Sequence, residues 1–130
     1  MTFEGAIRAR LLADAAVAAI VGTRITWAIR PQNGALPCVV LTLASGERPE
    51  TLEGYSLRRS RVQVDCWSTD ALAGVGLRDA VQAALAGPWT ASGHRFERVS
   101  FEGQAGSAEQ AGTDFIHRQS FDARLFHTEV

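Results

Sequence analysis

The sequence contains no lysine. All thirteen basic residues are arginine, so every positive side chain is a planar guanidinium suited to fixed, bidentate contacts rather than a loosely held ammonium. A GC-rich coding sequence, which would also account for the many alanines, explains the same bias without function. Cysteine is nearly absent, with only Cys38 and Cys66. Two thiols make no disulfide framework, and neither stands in a metal-type spacing. Each lies inside an apolar strand pattern and reads as a small buried hydrophobe. Long apolar runs are missing too. The longest, residues 15–21, is far too short to span a bilayer. The first ten residues lack the signal-peptide order of charge, apolar core and cleavage site, so the expected setting is a reducing cytoplasm or something assembled there, with no membrane. Nor is there an excess of charge of either sign. The formal net charge is -1, so no bulk field favours nucleic acid or an anionic membrane.

What is present is enough for a core. The 130 residues are 46% hydrophobic, which fits one domain over residues 1–130 and is too apolar for a disordered chain. Two stretches share one shape, a pair of alternating segments joined by a long polar connection. Residues 38–45 and 58–67 flank residues 46–57, and residues 94–102 and 113–127 flank residues 103–112. Compact domains rarely spend that much chain on structureless loops unless the loops contact something. The pattern points to a partner surface more clearly than to an active site.

Local signals order the elements. Thr2 caps a helix with the apolar stripe Phe3, Ile7 and Leu11. Asp14 caps a short continuation that Gly22 stops. Residues 25–29 form a short strand, followed by a loop with Pro31, Asn33-Gly34 and Pro37. Val39, Leu41 and Leu43 alternate with Val40, Thr42 and Ala44. Val62, Val64 and Cys66 alternate with Arg59, Arg61, Gln63 and Asp65, one face buried and one wet. Ser68 or Thr69 caps a helix over residues 70–86 with the stripe Leu77, Val81, Ala84 and Leu85, and Gly87-Pro88 ends it. Gly74 and Gly76 each cost that helix about 1 kcal/mol relative to alanine, which implies an irregular first turn or a closely packed neighbour. Phe115, Phe121, Ala123 and Leu125 share one side of the last strand, with Ile116 and Phe126 opposite. That strand exceeds ~40 Å if continuous, so it either projects or carries a bulge. The expected fold is α+β: an antiparallel sheet of two long β-hairpins plus a short strand, with two main helices packed on one face. The arginine-rich opposite face must be solvated or covered by a partner.

Chemistry is hard to find. His94, His117 and His127 fall on separate strand segments without a close ligand pattern and read as surface or edge histidines. Cys66, within Val-Asp-Cys-Trp, points inward, and there is no G-x-S-x-G elbow. Glu47, Glu50 and Glu53 recur every three residues, but Pro49 and Gly54 make them a solvated loop rather than a carboxylate pair. Residues 103–106 lack the helix and the Lys-Ser/Thr pair of a phosphate cradle. No catalytic, cofactor-binding or metal-binding residue is expected. Arg58, Arg59 and Arg61 form the densest basic cluster. With only Tyr55 and Trp67 as nearby aromatics, pairing with acidic residues of a neighbour fits better than phosphate binding. A wet strand face with internal ion pairs accounts for the cluster equally well.

The ordered combination of segments resembles the tail completion, or tail terminator, proteins of long-tailed bacteriophages and gene transfer agents. The matching residues are 11–17 and Ala19, then Val21-Gly22-Thr23-Arg24-Ile25, Pro31-Gln32, Leu36-Pro37-Cys38-Val39-Val40 and Ser45-Gly46-Glu47-Arg48. They continue with residues 60–67, the helix end at 80–85, and Arg118-Gln119-Ser120-Phe121-Asp122. The likeness covers nearly the whole chain, and the Gly74/Gly76 helix start and the Trp27 strand are its less typical parts. It implies a virion structural protein of the head-proximal tail, made in the bacterial host cytoplasm, that forms a homo-oligomeric ring, a hexamer. The ring would cap the tail tube protein, meet the head-closure or connector protein and let DNA through its lumen without sequence-specific binding. Loop length and charge then nominate Glu47, Arg48, Glu50, Glu53, Tyr55, Arg58, Arg59, Arg61, Gln104, Glu109 and Gln110 as interface residues. A head-closure ring, a small non-enzymatic α+β binding module and a Cys–His enzyme are the competing readings.

Overall fold

The computed structural model describes residues 2–30, 35–47, 58–112 and 114–129. They form three helices and six strands. In chain order these are α1 (Phe3–Ala13), α2 (Ala15–Val21), β1 (Ile25–Trp27), β2 (Cys38–Glu47), β3 (Arg58–Ser68), α3 (Ala71–Leu85), β4 (Trp89–Ala91), β5 (His94–Ala111) and β6 (Asp114–Glu129).

Side-chain caps set the helix starts. Thr2 accepts from the Gly5 amide at 3.0 Å, and Asp14 accepts from the Val17 amide at 3.0 Å. Asp14 thereby closes α1 and opens α2 in one residue, turning the chain without a loop. Gly22, at φ +60°, ends α2 in a conformation that glycine adopts without strain. The cap of α3 is Asp70, whose carboxylate accepts from the Ala73 amide at 2.9 Å. This corrects the expectation of Ser68 or Thr69. Ser68 instead donates its hydroxyl to the Asp70 carbonyl at 2.7 Å and is buried at the end of β3.

The strands make one sheet in the order β1-β2-β3-β6-β5-β4. It is an α+β fold, but the sheet is mixed rather than purely antiparallel. β1 runs parallel to β2, with Ile25 opposite Val39 and Trp27 opposite Leu41. Three residues carry too little periodicity to reveal their direction. β4, also three residues long, pairs with the start of β5 across a two-residue turn with positive φ at Ser92 and Gly93.

The second long connection is not a loop. Residues 103–111 belong to β5 and pair with β6 down to Ala111 opposite Asp114. β5 carries the irregularities, between Phe96 and Arg98 and between Glu102 and Ala105, so β6 remains a continuous strand. Of the first connection, Gly46 and Glu47 lie in β2 and residues 48–57 lie outside the described residues.

One core joins the helices to the alternating side of the sheet. Ile7, Leu11, Val17, Leu77 and Val81 meet Leu41, Val62, Val64, Cys66, Phe121, Ala123 and Leu125. Burying each large side chain is worth about 1.5–3 kcal/mol. Phe115 keeps the parity of Phe121 but is 54% exposed, because β6 has by then run past the end of β3 at Ser68, which faces His117. Two of the three histidines are not on the surface. His94 and His127 are buried, and His127 stacks on Phe3 at 4.4 Å between ring centroids, with its Nε2 2.9 Å from Ser60 Oγ. His127 shares the inward parity of Leu125, which places it in the core. Gly74 explains its own presence. A Cβ there would meet Ser68 Oγ at 2.8 Å, whereas nothing lies within 4 Å of one at Gly76.

Candidate assembly surface

Strand alternation sends every second residue of β3, β5 and β6 away from the helices. The cross-strand rows on that outer face are Trp67 with Arg118, Asp65 with Ser120, Gln63 with Asp122, and Arg61 with Arg124. Its chemistry is dominated by arginine. The Arg30 guanidinium lies over the Trp67 ring at 4.7 Å, and that of Arg118 lies at 5.5 Å. Asp65 is buried here, held by Gln63 at 3.1 and 3.2 Å and by Arg118 at 3.9 Å. Arg30 and Arg118 thus cover part of the face from within the chain.

Further along, Arg61 and Arg124 face each other across β3 and β6, a like-charge arrangement that is unfavourable unless anions intervene. Glu102 answers Arg124 at 2.7 Å. Arg61 has no such answer, and its Nε is buried without a hydrogen-bond partner among the described residues. The two arginines border a groove of about 340 Å³ with Ser45, Arg59, Ser60, Leu125 and Phe126.

The nominated residues separate into three groups. Arg58, Arg59 and Arg61 open β3. Arg59 and Arg61 share the outer-face parity and both border the groove, while Arg58 lies opposite the inward-facing His127. Glu47 pairs in register with Arg59 at the end of β2. Gln104, Glu109 and Gln110 lie on β5 rather than in a loop. Gln104 accepts from Gln82 on α3 at 3.4 Å, and Gln110 donates to the Gly112 carbonyl at 3.1 Å. Glu109 borders a second groove of about 220 Å³ with Trp67, Ile116 and Arg118. Arg48, Glu50, Glu53 and Tyr55 lie outside the described residues. Arg30, Glu102, Arg118 and Arg124 were not nominated. The alternation of Arg118, Ser120, Asp122 and Arg124 with Phe121, Ala123 and Leu125 was the available signal for the last two.

Reactive chemistry is disfavoured at the thiols. Burial pushes Cys66 up to about 12, with the nearby Asp65 and Cys38 adding and Arg78 opposing. Burial also raises Cys38, against Arg30 and Arg24. Both are protonated, shielded thiols at neutral pH. Among the described residues no group of three or more His, Cys, Asp or Glu could hold a metal ion, and no helix is long and apolar enough to cross a membrane.

The fold is that of a known virion component. The chain is similar to a chain in the structure described as "Virion of native gene transfer agent (GTA) particle", with a TM-score of 0.65 at 21% sequence identity, covering 95% of this chain and 94% of that one. A search of curated proteins gives no match. Residues 5–125 match the family described as tail completion protein gp17. That match runs through all three helices and nearly all of the sheet, and by it the chain belongs to the tail completion protein gp17 family, structural proteins of the virion tail.

Proposed function

We propose that this protein is the tail terminator subunit: copies form a closed ring that caps the head-proximal end of the tail tube and joins it to the head connector. The observation that carries this reading is the family match over residues 5–125. The surface chemistry is in keeping with it. A subunit that works by contact can use polar groups left unmatched within its own fold, and Arg61 in the groove is such a group among the described residues. Closed rings use two different patches on each subunit, and this sheet offers two different edges. The ring is a hexamer with DNA passing through its lumen, and a chain of net charge -1 would let DNA pass without gripping it. Glu47, Arg48, Glu50, Glu53, Tyr55, Arg58, Arg59 and Arg61, at the β2–β3 end, contact a neighbouring subunit or adjoining ring, as do Gln104, Glu109 and Gln110 on β5. The protein acts by occupying a position in the tail and carries out no reaction. Gene transfer agent particles and phages use the same architecture in this reading.

Disruption of the gene in a particle-producing host tests the proposal. Without a terminator, tube polymerisation has no stop, so electron micrographs should show headless tails of uncontrolled length beside tailless filled heads. Tails of normal length attached to heads would refute the assignment. Headless tails of normal length would favour a head-closure role instead.

A further inference from the structure

The outer side of β5 is an open edge. β4 covers His94 to Phe96 only, and no described residue pairs with β5 on that side further along. Residues 102–110 are all exposed. A strand exposed on both faces and along one edge gains little from its own domain. Natural proteins usually blunt such an edge with lysine, proline or a bulge. The irregularities of β5 lie before Ala105. From Ala105 to Ala111 the register with β6 is unbroken, and the sequence Ala-Gly-Ser-Ala-Glu-Gln-Ala holds no Arg, no Pro and one acid. Its small side chains leave room for another backbone to approach.

A second open edge lies on the far side of the same sheet. β1 covers β2 only from Val39 to Leu41, and residues 42–47 have β3 as their one strand partner among the described residues. Leu43 sits there 45% exposed. Three antiparallel steps separate β2 from β5 (β2-β3, β3-β6 and β6-β5), so the two edges run in opposite directions.

We infer that residues 105–111 of β5 bind residues 42–47 of β2 from a second copy of this chain, as an antiparallel strand added to the sheet. This deepens the ring reading and rests on it. Because the two edges differ, each copy that uses one edge still offers the other. Such a contact propagates head to tail, and it closes into a ring when the rotation per copy divides a full turn.

Amide hydrogen exchange on the purified full chain, dilute and assembled, tests the contact. Peptides covering 42–47 and 105–111 should both slow at least about tenfold on assembly. A ring in which either segment exchanges as it does in the dilute chain overturns this inference and leaves the terminator reading standing. A chain that forms no ring, alone or with tail tube protein, overturns both. Ser107→Pro and Ala108→Pro add a second arm. Neighbouring strand residues point their N–H groups to opposite sides, so one variant removes only an outward donor and keeps the β6 ladder. The variant that retains the far-ultraviolet circular dichroism of the parent should lose ring formation. Rings formed normally by that variant would overturn the inference.

Discussion

The same substitution at two glycines of one helix turn should have opposite effects. Gly74 and Gly76 both lie in α3, and alanine gains about 1 kcal/mol over glycine in a helix interior through lower backbone entropy in the unfolded chain. At Gly76 the position is exposed and a Cβ meets nothing within 4 Å, so Gly76→Ala should raise stability by nearly that amount. At Gly74 the new methyl meets Ser68 Oγ at 2.8 Å and Gln119 Cγ at 3.4 Å. Ser68 cannot swing aside freely, since it is buried and its hydroxyl is bonded to the Asp70 carbonyl at 2.7 Å. Overpacking of this kind costs about 1–3 kcal/mol, which outweighs the helix gain. Gly74→Ala should therefore destabilise by about 1 kcal/mol, separating the two variants by about 2 kcal/mol. Urea unfolding of the isolated subunit resolves that as a midpoint difference of about 1 M. Equal stabilisation by both substitutions would refute the close approach of α3 to the end of β3.

Four further outcomes follow from named contacts. Asp70→Ala removes the acceptor for the Ala73 amide and should cost about 1 kcal/mol in the same unfolding assay. Phe121→Ala empties a fully buried site beside Phe101, with ring centroids 5.6 Å apart, and should cost about 3–5 kcal/mol, enough to leave little folded subunit in a circular-dichroism melt. Arg61→Gln, at a groove side chain whose Nε is buried without a hydrogen-bond partner among the described residues, removes one of two facing guanidinium charges and should leave subunit stability unchanged or raise it by up to about 1 kcal/mol, while weakening self-association in light scattering. The Cys66 thiol rises from 9.0 unfolded to about 12 folded. The unfolded chain therefore loses its proton first, and the contribution present below pH 9 is lost as pH rises towards 12. Stability should fall by up to about 1.4 kcal/mol per pH unit across that window, a slope that Cys66→Ala removes without preventing assembly.

Much of the fold was readable where one residue carries a signal by itself. Thr2, Asp14 and Gly22 announce helix ends through hydrogen-bonding oxygen or a permitted positive φ. Val62, Val64 and Cys66 announce a one-sided strand. Asp70 was obscured because Ser68, Thr69 and Asp70 can all cap, and only the packing of Ser68 against α3 selects among them. The direction of β1 and the existence of β4 were not legible, since three residues have no period. Residues 103–111 read as a loop for a sharper reason. Alternation marks a strand that buries one face, and residues 103–110 bury neither. Its extended form comes from pairing with β6, a non-local cause that local composition does not display. The outer-face groove was legible in part at Arg59 and Arg61, which keep the outward parity on the strand that buries Val62 and Val64. Arg124 carried the same alternation with Ala123 and Leu125, but its pairing with Glu102 emerged only once the register set β6 between β3 and β5.

Cryo-electron microscopy of the assembled particle tests the central claim most directly. The account predicts six copies in a closed ring at the junction between tail tube and head connector, with the sheets of neighbouring copies joined edge to edge. Density for this chain at the distal tip of the tail, or as isolated copies off the tail axis, would contradict it.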